Sequence, residues 1–152
     1  MRWGARCNIL LHAADADICQ WVSRQLFGED DAFDEKSRAI GVIYGEELIA
    51  GVIYNNYVPG ITIEMSIASI DNRWATRHNL RAFFTYPFIK LGLERVQTLC
   101  SATEGDIVAF NKRLGFVEEG YHRKAWHTGG DAISFGMLKD ECKWIRGGGS
   151  HG

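Results

Sequence analysis

Apolar residues recur along this chain in two rhythms. Over residues 14–27, Ile18, Trp21, Val22 and Leu26 fall at helical spacing, which predicts an amphipathic helix. Asp15 or Asp17 at its start is a candidate cap, because a carboxylate accepts the free N–H groups of the first turn. Residues 38–44 and 48–54 are rich in β-branched apolar side chains and flank Gly45-Glu46-Glu47, the pattern of a hairpin. Residues 55–60 hold Asn55-Asn56 and Pro59-Gly60 and read as a turn. Residues 61–70 then alternate, with Ile61, Ile63, Met65 and Ile67 on one face and Thr62, Glu64, Ser66 and Ala68 on the other. The carboxylate in the middle of that third strand must face water, a partner or a site.

A long helix follows over 74–91, with Leu80, Phe83, Phe84, Phe88 and Leu91 as its apolar stripe. Pro87 has no N–H to give, so a kink or an early end is expected there. Residues 95–101 read as a strand. Residues 106–114 read as a short helix with Ile107, Phe110 and Leu114 turned inward, closed by Gly115 at φ > 0. Residues 116–126 and 132–138 form a last pair of strands, joined by a turn at 127–131. The acidic stretch 29–36 is a solvated loop or, in a functional reading, a lid over a cationic substrate.

This order (helix, three strands, long helix, strand, short helix, two strands) predicts an α/β fold: a mixed, mostly antiparallel central sheet with helices on both faces. The 152 residues suit one domain over 1–146 with a sizeable core, followed by a flexible Gly-rich tail over 147–152. The net charge, 17 − 19 = −2, gives no global electrostatic case for nucleic acid. Cys7, Cys19, Cys100 and Cys142 are scattered, with no C-x-x-C and no zinc-ligand spacing, so buried free thiols are expected, with disulfides the minority reading, and no metal. Neither a membrane-length apolar run nor a proper signal peptide is present, and a soluble, cytoplasmic protein is expected.

One stretch carries more. Leu114-Gly115-Phe116-Val117-Glu118-Glu119-Gly120, with Arg123 after it, ends a short helix and enters a strand. With the element order, this resembles the GCN5-related N-acetyltransferase (GNAT) superfamily, in style its small bacterial and phage-encoded members. The likeness runs over roughly 38–138 and is strongest over 109–123. It implies transfer of an acetyl group from acetyl-coenzyme A to an amine, with the protein active in the cytoplasm, the host's if phage-encoded. The short helix would lie beside the pantetheine arm, with Phe110 and Asn111 toward the arm or its thiol; Asn111 as a solvated helix position is the other reading. The backbone of Ile67, Ala68, Ser69 and Ile70 would bind pantetheine as an added strand does.

The resemblance assigns the family's phosphate loop to Arg73, Trp74, Ala75, Thr76, Arg77 and His78, running into Asn79. Only Arg73 fits the family pattern there; Thr76 and His78 stand where glycines are usual. The physical task is to aim backbone N–H groups and positive charge at a pyrophosphate on a helix N-terminus, and the alternative is an ordinary basic first turn. Glu64 is the candidate base, or else a structural carboxylate paired with an Arg or Tyr. Asn111 occupies a position where many relatives carry a proton-donating Tyr, so Tyr121 is the candidate substitute, with His122 beside it. The acceptor would be an amine on a protein or small molecule, and the protein a monomer or homodimer. Two alternatives remain on the sequence: a GNAT-fold binding protein without catalysis, and an acyltransferase acting on a modified nucleobase in DNA, which the charge does not favour.

Overall fold

Two glycines decide how the first helix meets the sheet. The computed structural model describes residues 8–12 and 14–146, so the expected tail at 147–152 lies outside the described residues. Asp15–Phe27 forms α1, Arg38–Tyr44 forms β2 and Glu47–Val58 forms β3. Gly41 of β2 lies opposite Gly51 of β3. A Cβ at Gly41 would meet Ile18 side-chain atoms at 3.0 and 3.3 Å, and one at Gly51 would meet Val22 at 2.8 Å and Ile18 at 2.9 Å. The bare strands therefore let α1 settle directly onto the sheet. Ile18 and Val22 close a core there with Ala39, Ile53 and Ala68, flanked by half-buried Trp21 and Leu26.

Asn8–Leu11 adds a strand, β1, that the sequence reading did not include; it pairs antiparallel with β2. Four residues without alternation give no periodic signal. Thr62–Ser69 forms β4, Arg77–Thr85 α2, Arg95–Ser101 β5, Gly105–Leu114 α3, Val117–His122 β6 and Ala132–Leu138 β7. The strand order is β1-β2-β3-β4-β5-β7-β6. The pairs β1/β2, β2/β3, β5/β7 and β6/β7 are antiparallel and β4/β5 is parallel, which is the mixed, mostly antiparallel sheet expected.

By its contacts the chain divides into two units. The first holds the described residues up to Tyr57 together with Met65–Phe83. Here α1 covers the face bearing Gly41, Gly51 and Ile53. Tyr54, on the opposite face of β3, reaches α2 and donates its hydroxyl to the Phe83 carbonyl at 2.5 Å. The second unit holds Val58–Glu64 and the described residues from Phe84 onward. Its core includes Phe84, Phe88, Val96, Phe116, Phe135 and Met137.

Several boundaries differ from the sequence reading. Neither Asp15 nor Asp17 caps α1: Ala14 holds that position without a side-chain bond, and Asp15 Oδ1 accepts the Ala39 N–H at 2.9 Å instead. The turn expected at 55–60 is smaller, because β3 runs on through Asn55 to Val58 and Ile61 N–H closes the turn on the Val58 carbonyl at 2.9 Å. The alternation of β4 holds through buried Ile63 and Met65, then slips by one residue, so that Ala68 is buried and Ile67 only half-buried. The long helix begins at Arg77, after a 3-10 turn over Asn72–Trp74, and passes into a single π turn over Tyr86–Lys90, where Pro87 removes an α-type donor. Ile107, expected inward, is 39% exposed. β6 stops at His122 rather than reaching Trp126, because 123–131 forms the connecting loop.

Gly115 behaves as expected. It sits at φ +111 at the end of α3, and Phe116 N–H reaches back to the Asn111 carbonyl at 3.1 Å, the closure of a left-handed helix cap. The described cysteines are free thiols: Cys19 is half-buried, and Cys100 and Cys142 are buried. Burial, with Asp15 and Asp34 nearby, pushes the Cys19 thiol up to about 11. Burial also raises Cys100 and Cys142 above the usual thiol range. Among the described residues no helix is long and apolar enough to cross a membrane.

Candidate functional site

In the first unit, β4 delivers the chain into a short, tightly built loop. Ile67, Ala68 and Ser69 end the strand, and Ile70 donates its N–H to the Ile49 carbonyl of β3 at 2.9 Å. That donor is therefore already used, whereas the sequence reading had counted it for the pantetheine arm. The 3-10 turn over Asn72–Trp74 follows, with Asp71 as its cap. Trp74 is buried and stacks on Phe83, ring centroids 5.7 Å apart. Asn79, fully buried, donates Nδ2 to the Trp74 carbonyl at 2.9 Å and so ties the loop to the helix it precedes. Asn79 Oδ1 has no hydrogen-bond partner.

Thr76, standing where the resemblance leads one to expect glycine, has a definite role here. Its Oγ1 accepts the Asn79 N–H at 3.1 Å and its carbonyl accepts Leu80 N–H at 2.9 Å, so Thr76 is the N-cap of α2. Arg77 and His78 lie exposed in the first turn, and Ala75 is half-buried. Arg73 is not a loose surface cation. Asp71 Oδ2 takes its Nη2 at 2.6 Å, Asp71 Oδ1 takes its Nε at 3.2 Å and its backbone N–H at 2.9 Å, and the guanidinium carbon sits 3.9 Å from the centre of the Tyr44 ring. These contacts hold the Asp71 carboxyl below its ordinary range and push the Arg73 guanidinium up. The sequence reading missed both partners. Asp71 was readable as a local Asp two residues ahead of its donor; Tyr44 lies 29 positions upstream and gives no local signal.

In the second unit the other candidates sit on strands and on α3. Glu64 is half-buried on β4, opposite Gln97 of the parallel strand β5, with buried Ile63 and Val96 paired one step before on the other face. Thr62, Arg95 and Gly136 belong to the same polar face as Glu64 and Gln97. Arg95 crosses that face to grip Glu119 with Nη1 at 2.9 Å and Nη2 at 2.7 Å, and Nη2 also reaches Gln97 at 3.2 Å. Gly136 leaves the room: a Cβ there would fall 2.4 Å from Glu119 Oε2 and 2.6 Å from Arg95 Nη1.

Asn111 is not a solvated helix position. It is 7% exposed, and its amide favours the thiolate of Cys100 on β5, working against the rise that burial causes; the sequence reading had Cys100 only as a free thiol. Phe110 is half-buried beside it, with the Arg113 guanidinium 5.7 Å from its ring centre. Tyr121 is engaged elsewhere: 58% exposed on β6, it donates its hydroxyl to Asp131 Oδ2 at 2.6 Å. That bond raises the phenol above its ordinary range and lowers the carboxyl, which also accepts the Lys124 N–H at 2.8 Å. Asn111 and Tyr121 thus have separate partners. His122 has Ser134 Oγ 2.9 Å from its Nε2. Gly120 makes space for that pair, since a Cβ would come within 2.9 Å of the ring.

No family model and no curated protein matches the sequence. Solved structures do. A probable acetyltransferase superimposes with a TM-score of 0.62 at 22% identity, over 69% of this chain and 63% of that one. Ribosomal-protein-S5-alanine acetyltransferase from Vibrio fischeri does so with a TM-score of 0.69 at 12% identity, over 94% of this chain and 99% of that one. Mutant forms of the spermidine/spermine N-acetyltransferase from Vibrio cholerae give 0.65 at 18%, over 88% and 95%. Identities this low speak to architecture alone, and the architecture is shared: the chain has the fold of these acetyltransferases.

Proposed function

We propose that the protein is an N-acetyltransferase that moves an acetyl group from acetyl-coenzyme A to an amine on a small molecule or protein. The observation that carries this reading is the run from β4 into α2. A strand with a mid-strand carboxylate, Glu64, leads within a few residues to a Thr-capped helix start that collects Arg73, Arg77 and His78, on a fold shared along most of its length with acetyltransferases. The donor set suits a phosphate-bearing cofactor: a guanidinium and the first turn of a helix both favour anions. Arg73, with the first turn of α2, would hold the phosphates, and the β4 backbone at Ile67–Ser69 the pantetheine arm.

Bound acetyl-coenzyme A supplies the thioester whose acetyl carbon is transferred as the carbon–sulfur bond breaks. Glu64 would accept the proton that the ammonium form of the acceptor must lose before its nitrogen can attack. The Asn111 amide, an uncharged group that cannot act as a Brønsted acid, would donate a hydrogen bond toward sulfur or carbonyl oxygen. For Tyr121 to protonate the leaving sulfur, its hydroxyl would first have to let go of Asp131; otherwise the sulfur would leave as the thiolate. The solved neighbours are named for a polyamine and for a protein alanine, and both kinds of amine are acceptors to try.

The test is calorimetric titration with acetyl-coenzyme A, followed by an assay of free thiol release over a panel of polyamines and peptide amines. Glu64→Gln is expected to lower turnover on the order of a hundredfold with cofactor affinity nearly unchanged. Normal turnover in that variant across the pH range would remove Glu64 from the mechanism. No binding of acetyl-coenzyme A at high micromolar concentration would sink the whole reading in favour of a binding protein on this fold.

A further inference from the structure

The loop before α2 already holds an anion, and it is the chain's own. Asp71 presents both carboxylate oxygens to the side of the Arg73 guanidinium, through Nε at 3.2 Å and Nη2 at 2.6 Å, and also takes the backbone N–H of Arg73. This is the side-on fork by which arginine grips phosphate. The flat face of the same guanidinium lies on the Tyr44 ring at 3.9 Å, so β2 fixes the cation's position independently of Asp71. Both charged side chains are solvent-accessible, 50% for Arg73 and 30% for Asp71, so an anion from solution can reach the fork.

We infer that Asp71 is a resident anion that an incoming phosphate must displace from Arg73, and that Asp71 thereby sets the affinity of this site. The inference deepens the acetyl-coenzyme A reading and rests on it for the identity of the incoming group. Exchange asks the short Asp71 side chain to turn away, while Tyr44 keeps the guanidinium in place. It favours a diphosphate because its two adjacent phosphates present more negative charge and more acceptor oxygens than a single carboxylate does. The structure thus holds the cation in a neutralised state until a stronger anion arrives.

The experiment compares wild type, Asp71→Asn, Arg73→Ala and the double variant by calorimetric titration with coenzyme A and, separately, with inorganic pyrophosphate. Asparagine keeps an oxygen for the Arg73 N–H, so the loop should hold, and thermal melting checks that it does. Asp71→Asn is expected to tighten both ligands by about tenfold, the equivalent of about 1.4 kcal/mol. The gain should vanish in the double variant, because it acts through Arg73. Unchanged or weaker binding by Asp71→Asn would overturn the inference and make Asp71 a support that positions Arg73. A gain that survives Arg73→Ala would overturn it too. If pyrophosphate shows the gain while coenzyme A binds none of the proteins, the displacement stands and the acetyltransferase reading falls.

Discussion

Tyr54 and Pro87 answer each other. In a continuing α-helix the N–H of residue 87 would donate to the carbonyl of Phe83, and proline has none to give. That carbonyl is served instead by the buried Tyr54 hydroxyl at 2.5 Å. Tyr54→Phe should therefore cost about 1–3 kcal/mol, the penalty for leaving a buried acceptor unmade. In a Pro87→Ala background the restored N–H can take over, and the same Tyr54→Phe change should then cost less than about 1 kcal/mol. Chemical denaturation of the four proteins measures this coupling; strictly additive losses would mean that the two residues do not share the Phe83 carbonyl. Single residues also show what could be read in advance. Gly115 was legible because helix closure at φ > 0 favours glycine and the apolar pattern ends there. The end of α2 just before Pro87 was legible for the same kind of local reason, whereas Tyr54 as its partner was not, being 33 positions away.

At the scale of elements, α1 and its sheet depend on the facing glycines. Gly51→Ala should destabilise the protein by about 1–3 kcal/mol, since the new methyl meets Val22 and Ile18 at 2.8 and 2.9 Å and α1 must shift or its side chains leave their rotamers. Val22→Ala, placed with it, opens room and should return part of that loss, which a comparison of melting midpoints reads directly. An unchanged midpoint for Gly51→Ala would show that α1 floats over the strands rather than resting on them. Elements with a strong period were readable: β2, β5 and β7 begin and end where their apolar runs do. The failures have physical causes. β1 is too short to show a period, β3 outlasts its apolar run because it runs on through polar Asn55 and Asn56 to Val58, and β6 ends early because Asp131 organises the loop after it by accepting Lys124 N–H and the Tyr121 hydroxyl. The loop before α2 was legible as a break between strand and helix, but its bonding, Thr76 as cap and Asp71 as partner of Arg73, came from side chains where a glycine pattern had been sought.

For the whole molecule, fold was more legible than site, because a fold is repeated along the chain in every apolar period while a site depends on a few distant side chains meeting. Asn111 with Cys100, and Arg73 with Tyr44, are such meetings. The free cysteines have one more consequence. Cys19 lies in the first unit, and Cys100 and Cys142 lie in the second. All three thiols are held in their unreactive protonated form by burial, so alkylation of the native protein requires a local opening that releases the sulfur. The chain thus carries a chemical clock in each unit. Pulse labelling with iodoacetamide, with the modified sites identified by peptide mass spectrometry, should find half-buried Cys19 reacting first and Cys100 and Cys142 following together. If Cys100 outran Cys142 by a wide margin, β5 would open without the segment after β7, and the second unit would not be a single cooperative block.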